Sequence, residues 1–295
     1  MRPEPDLFEE IVRLRREGIP AAMATIVATR GSTPGRETMR LLVLEDGTFL
    51  GTVGGGCLEA EVYETAKLVL RDEQPRSRTF KLTEFDSPDS GLLCGGEVTV
   101  FVEPVTTPAL WIFGGGHVSK ALCKVAALAG FRVTVADDRE AYANPARFPE
   151  ARATVAGEYD ALVAQMPLRA NTYVVVVTRG HKEDGVVLAA LARRLADGGQ
   201  PRFLGMIGSK TKRAVLFRKL REQGVGQDFL GRVRSPVGLC IGARSHEEIA
   251  VAVVGELIAV RRTGQDAAEA WARRLRPATP RPRTAVTELD AAEAE

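Results

Sequence analysis

A chain of 295 residues with 40 Lys and Arg against 38 Asp and Glu carries a formal net charge of +2, too little to hold nucleic acid or an anionic membrane through a global field. Apolar residues make up 45% and aromatics only 6%, a mixture that suits helix-on-sheet packing and disfavours an aromatic binding platform. The length fits two domains. Residues 1–8 are acidic and proline-bearing where a secretory leader would be basic and then apolar, and no apolar run approaches ~18 residues, so a cytoplasmic protein without a membrane span is expected. Cys57, Cys94, Cys123 and Cys240 form no CxxC pair, which predicts reduced thiols and neither a disulfide framework nor a structural zinc site.

In chain order, Leu7, Ile11, Val12 and Leu14 recur at helical spacing, and Gly18 with Pro20 stops that helix. Apolar, β-branched runs at 22–28, 39–44 and 49–53 are separated by turn residues and read as paired strands. After Gly54-Gly55-Gly56 the pattern changes to Leu58, Val62, Thr65, Ala66 and Val69, the stripe of an amphipathic helix. Strands over 77–82 and 97–104 complete a small mixed sheet with two helices, a first domain of residues 1–106. From Ala109 strands and helices alternate: strands at 110–113, 132–136, 173–177 and 203–207, helices at 118–129, 160–166, 187–196, 211–223 and 247–262. This is the grammar of a doubly wound, Rossmann-like parallel sheet, assigned to residues 107–264. Ser245 with Glu248 three residues on forms a capping box for the last helix. Residues 265–295 are read as the end of that helix and a disordered tail.

The chemistry-bearing signals are glycine loops. Strand 110–113 runs through Gly114-Gly115-Gly116 into His117 and a helix, a geometry that lets backbone N–H groups meet a phosphate. Asp137 ends the next strand about 20 residues on, where dinucleotide folds place the carboxylate that holds ribose hydroxyls; Ser119 replaces the usual third glycine. NAD(P) is therefore one candidate ligand, and a tight turn needed only for packing is the other reading of the loop. Gly54, Gly55, Gly56 and Cys57 make a second strand-to-helix cradle, either for an anion or to relieve crowding. Cys94 beside Gly95 and Gly96 repeats the theme of a thiol next to flexible backbone, while Cys123 lies on an apolar helix face and reads as core. His117 and His181 each follow a strand of the parallel sheet, at the edge where open α/β sheets bind ligands. Asp184 either orients His181 or serves as an acid near a helix start. Gly208 and Ser209 join another strand to a helix start, with Ser209 a candidate N-cap beside Lys210, Lys212 and Arg213.

Seven blocks in order, residues 31–34, 51–59, 94–96, 114–117, 178–181, 205–209 and 236–243, resemble the signature blocks of the XdhC/CoxI family from about Ala22 to Arg262. The resemblance implies an N-terminal XdhC/CoxI domain of α+β type, an XdhC Rossmann domain, and a non-catalytic maturation role. In that role the protein binds the molybdenum cofactor (molybdopterin) as cargo, protects it during sulfuration and delivers it to a xanthine dehydrogenase-like molybdenum hydroxylase, with a cysteine desulfurase as a further partner and a homo-oligomer, a homodimer, as the assembly. The chain departs from the family at Thr38-Met39-Arg40, which keeps a cation, and at Cys240, where the family carries Asp. The expected site is a cleft between the domains, lined by the glycine loops, His117, His181 and Cys57 or Cys94. An NAD(P)-dependent oxidoreductase is the alternative.

Overall fold

A computed structural model describes residues 6–82, 95–105, 107–196, 198 and 200–274. The first unit contains α1 (Leu7–Glu17), β1 (Ala21–Arg30), β2 (Arg40–Leu44), β3 (Phe49–Gly51), α2 (Gly56–Asp72), β4 (Arg76–Lys81) and β5 (Glu97–Pro104). It is α+β, as the sequence indicates. Its five strands run in the order β3-β2-β1-β5-β4, and every pairing of these strands is antiparallel, so the sheet is not mixed in direction. Strand alternation sends Ala22, Ala24, Ile26, Leu41 and Val43 to one face, where Leu58, Val62, Ala66 and Val69 of α2 cover them. Burying Leu58, Val62 and Val69 contributes roughly 5–9 kcal/mol before ordering costs. The opposite face, through Ala21 and Leu42, packs on Leu14 of α1. Asp6 caps α1 by accepting from the Phe8 N–H at 2.8 Å, and Gly18, at φ 70°, ends it.

The second unit contains β6 (Ala109–Phe113), α3 (His117–Leu128), β7 (Arg132–Asp137), β8 (Ala153–Ala156), α4 (Tyr159–Gln165), β9 (Thr172–Val176), α5 (His181–Ala196), β10 (Phe203–Met206), α6 (Lys210–Glu222), α7 (Gln227–Arg232) and α8 (His246–Arg274). The strand order is β10-β9-β6-β7-β8, parallel throughout, a doubly wound sheet whose order reverses at β6. Leu110, Ile112, Val133, Val135, Tyr173 and Val175 face α3 and α8. Phe113, Ala136, Val174, Val176 and Met206 face α4, α5 and α6. Two short elements escape the sequence reading. Strand β8 is only four residues with no buried position, and α7 is a single six-residue turn and a half; neither is long enough to show a period. The capping box is formed, with Ser245 Oγ accepting from the Glu248 N–H at 3.1 Å and Glu248 from the Ser245 N–H at 3.0 Å. Helix α8 extends past 262 to Arg274 with a break at Gly264, which lies at φ 81°.

The two units meet along a polar seam. Glu73, at the C-terminal end of α2, accepts from the buried Tyr173 hydroxyl at 2.9 Å and forms an ion pair with Arg202 at 3.6 Å. The Arg202 guanidinium also donates to the Arg71 and Asp72 carbonyls, satisfying the last acceptors of α2. Glu45, in the β2–β3 turn, accepts from the Ala170 N–H at 2.9 Å and from Arg169 at 3.2 Å, and Arg132 donates to the Arg16 carbonyl at 2.8 Å. Arg132 opens β7, Arg169 and Ala170 precede β9, and Arg202 precedes β10. The first unit is therefore docked on the amino edge of the parallel sheet.

Candidate functional site

The opposite, carboxyl edge is where an open parallel sheet presents its loops, and the crevice lies between the loops after β6 and β9. Gly114 is held at φ 112°, and a Cβ there would lie 2.2 Å from the Val177 carbonyl oxygen. At Gly115 a Cβ would lie 2.1 Å from the Tyr142 carbonyl oxygen, while Gly116 has open space around it. Two of the three glycines thus serve close packing, and only Gly116 leaves free room at the start of α3. Ser119, at the position of the usual third glycine, is fully buried.

Asp137 is not available to a ribose. It is completely buried, accepting from the Gly115 N–H at 2.7 Å, the Arg139 N–H at 3.0 Å, and Arg139 Nε and Nη2 at 2.9 and 3.3 Å. Burial opposes its charge, but hydrogen bonds from Arg139 and Gly115 outweigh that and hold its carboxyl below the ordinary value of 3.8. Arg139 lies 3.6 Å over the Tyr142 ring, and Arg147 Nε donates to the Gly115 carbonyl at 2.9 Å. The connection between β7 and β8 thus closes over the glycine loop, and its N–H is spent on a side chain of the same chain. These residues do not fit a dinucleotide.

His117 and His181 do reach the carboxyl edge, both exposed, but they stand on helices that pack on opposite faces of the sheet. The partner of His117 is His246 at the start of α8, stacked with ring centroids 5.4 Å apart and planes at 16°. No local pattern marks this pairing, because 129 residues of sequence separate the two histidines and the contact is made through α3–α8 packing. His181 instead borders a groove with Asp160, Leu216 and Lys219. Asp184 does not orient it. That carboxylate is fully buried, accepts from Thr178 Oγ1 at 2.6 Å and pairs with Lys212 at 2.5 Å; burial raises its pKa, against the opposing pull of Lys212 and Thr178. Ser209 is the N-cap of α6, accepting from the Lys212 N–H at 3.1 Å, and Gly208 precedes it at φ 154°.

In the first unit the loops at 31–35, 54–57 and 95–96 converge. A Cβ at Gly54 would lie 2.7 Å from the Gly35 nitrogen, and one at Gly96 2.3 Å from the Ser32 carbonyl oxygen. Gly54, Gly55 and Gly56 all have positive φ, at 113°, 76° and 65°, a conformation L side chains rarely adopt. Cys57 follows in the first turn of α2, half-buried and outside any disulfide. Cys94 lies outside the described residues. Cys123 is core, and burial pushes its thiol up to about 12.

One chain does not bring the two glycine clusters together. The first-unit cluster lies beyond Arg30, at the far end of the ten-residue β1, about 30 Å from the seam at Ala21. The second cluster lies beyond Val176, across the five-residue β9, another ~16 Å on the other side of the seam. The expected interdomain cleft shared by Gly54–Cys57 and Gly114–His117 is therefore not formed within a chain. Helix α2 accounts for this: its first residue carries the glycine loop, and the residue after its last caps onto the second domain.

An antiparallel α+β unit docked on the amino edge of a doubly wound sheet, with the carboxyl edge left open, defines a two-domain protein of the Rossmann type whose ligand edge faces away from the accessory domain. The chain belongs to the XdhC and CoxI family: residues 14–83 match the model described as XdhC and CoxI family, and residues 110–257 match that of the XdhC Rossmann domain. It is 34% identical over 259 residues to the Escherichia coli (strain K12) protein YqeB, covering 87% of this chain and 46% of that protein. It is 29% identical over 196 residues to a Bacillus subtilis (strain 168) protein described as a probable subunit of xanthine dehydrogenase, covering 65% of this chain and 52% of the other. A third relative is the molybdenum cofactor insertion chaperone PaoD of Escherichia coli (strain K12), 24% identical over 279 residues, covering 82% of this chain and 83% of that protein. The chain spans about half the length of the first two relatives. No helix among the described residues is long and apolar enough to cross a membrane.

Proposed function

We propose that this protein is a cytoplasmic maturation factor that binds the molybdenum cofactor and hands it to a molybdenum hydroxylase of the xanthine dehydrogenase kind. The observation that carries the reading is the relation to the insertion chaperone PaoD over 83% of that protein's length, in a chain whose Rossmann edge has turned its dinucleotide carboxylate inward. An oxidoreductase would need Asp137 for the ribose, and its oxygens are occupied. A carrier must release its cargo, which favours an open edge over a closed catalytic pocket. The two glycine clusters, at opposite ends of one chain, become neighbours if a second copy packs antiparallel to the first about a two-fold axis, so a homodimer belongs to the same proposal. A cysteine desulfurase, as sulfur donor to the bound cofactor, completes the set of partners.

The test is co-production with the cofactor biosynthetic enzymes, followed by oxidation of the purified protein and quantification of the released fluorescent pterin. Near-stoichiometric pterin, transferable to an apo-hydroxylase with recovery of its activity, is expected. Protein that carries no pterin and leaves the apo-hydroxylase inactive rules the reading out.

A further inference from the structure

The segment after α7 runs beside β10, with Arg234 bridging to Gly205 in parallel fashion and the Val237 N–H donating to the Met206 carbonyl at 3.2 Å. It then crosses the carboxyl edge as Gly238–Ala243 and enters α8. Between this segment, the start of α6 and the first turns of α8 lies a cavity of about 650 Å³, a size that small-molecule sites commonly have. Neither Gly114–Gly116 nor Asp137 lines it.

Its charged lining is mostly basic. Lys210, Arg213 and Arg234 border it against one carboxylate, Glu256. That carboxylate is buried and accepts the Gly238 N–H at 2.6 Å, so part of its charge is spent on the loop itself. Lys210 is exposed with no acidic partner among the described residues. Arg213 donates to the Ser235 carbonyl at 3.3 Å, which aims its guanidinium along the wall without neutralising it. Ser235 also lines the cavity; it is 7% exposed, and its hydroxyl has no hydrogen-bond partner, an arrangement native cores seldom leave without a reason. Lys210 and Arg213 both stand in the first turn of α6, whose Ser209 N-cap already accepts the Lys212 N–H. On the rim is the exposed thiol of Cys240, outside any disulfide.

We propose that this cavity is a binding site for a phosphorylated small molecule. Lys210 and Arg213, both in the first turn of α6, hold the phosphate, and Cys240 faces a thiophilic atom of the same molecule. The phosphate end stands on the cavity alone; the thiophilic end rests on the carrier reading above.

Inorganic pyrophosphate is the probe for the phosphate end. The full-length protein is treated with iodoacetamide with and without millimolar pyrophosphate, and alkylation of each cysteine is followed by peptide mass spectrometry, with a cysteine-containing peptide added to the same solution as reference. Pyrophosphate is expected to slow alkylation of Cys240 at least fivefold and that of the added peptide less than twofold, and Lys210→Glu, a change at an exposed side chain, is expected to remove the protection. Unprotected Cys240, or protection that survives Lys210→Glu, overturns the site. For the thiophilic end, Cys240→Ser is expected to lower the pterin load of co-produced protein at least tenfold, and a full load in that variant overturns the thiol's role. Protection by pyrophosphate in a protein that never carries pterin would sink the carrier reading and leave the phosphate site standing; pterin loading without protection would do the reverse.

Discussion

Asp137→Asn separates the internal role of this carboxylate from the ribose role its position suggests. Asparagine keeps the volume but loses the charge, and its amide N–H must face either the Gly115 N–H or the Arg139 guanidinium, both of which are donors. A buried N–H left without an acceptor costs ~1–3 kcal/mol. Loss of the charge-assisted bonds from Arg139, whose side chain is 35% exposed and so regains water, adds about 1 kcal/mol. A destabilisation of about 3 kcal/mol lowers the melting temperature by roughly 6–12 °C for a unit of this size. The pH dependence follows from the depressed carboxyl: its stabilisation is present above the ordinary value of 3.8 and lost as pH falls through the lower folded value. The gap between wild type and variant should thus be flat from pH 5 to 8 by urea titration and shrink only below about pH 4. Calorimetric melting and NADH titration on both proteins complete the assay. An unchanged melting temperature, or NADH binding by wild type that the variant loses, would refute the reasoning.

The glycines of the 114–116 loop should differ in tolerance: Gly114→Ala, with a Cβ driven against the Val177 carbonyl, should cost more than ~3 kcal/mol, and Gly116→Ala, with open space and an extended backbone, less than ~1 kcal/mol, as read from urea midpoints. Lys212→Met should cost ~3 kcal/mol by stranding the buried Asp184 carboxylate. Because burial raises the Asp184 pKa, the neutral acid is the comfortable form, so this loss should be small at low pH and grow as pH rises through the folded value, which stability curves at several pH values will show. At the seam, Tyr173→Phe leaves the Glu73 carboxylate one donor short and should cost ~1–2 kcal/mol; Arg202→Ala, which also uncaps α2, should split a single calorimetric transition into two. A cycle of Tyr173→Phe with Glu73→Gln that shows no coupling would contradict the hydrogen bond.

Much of this protein was open to reading from local pattern. The α2 stripe from Leu58 to Val69, the turn glycines and the Ser245–Glu248 cap stand where spacing puts them, because each depends on neighbours within a turn or two. The parallel sheet announced itself through alternating strands and helices, and the order of seven short blocks marked the family. Strand β8 and α7 were illegible because four to six residues carry no period.

What the sequence determined by itself was thus the kind of each long element, the change from paired strands to alternating strands and helices, and the loops that carry glycine, since helical and strand periods are imposed by backbone geometry residue by residue. Tertiary structure alone decided what those loops face: that Asp137 folds back onto Gly115, that His117 meets His246 rather than His181, and that Lys210, Ser235 and Cys240 border one cavity. It also decided that the first unit sits on the amino edge, separating the glycine clusters, because docking is chosen by the charge and hydrogen-bonding pairs of Glu73, Tyr173 and Arg202. Contacts of that kind join residues about 100 or more positions apart, and no repeat or spacing along the chain records them.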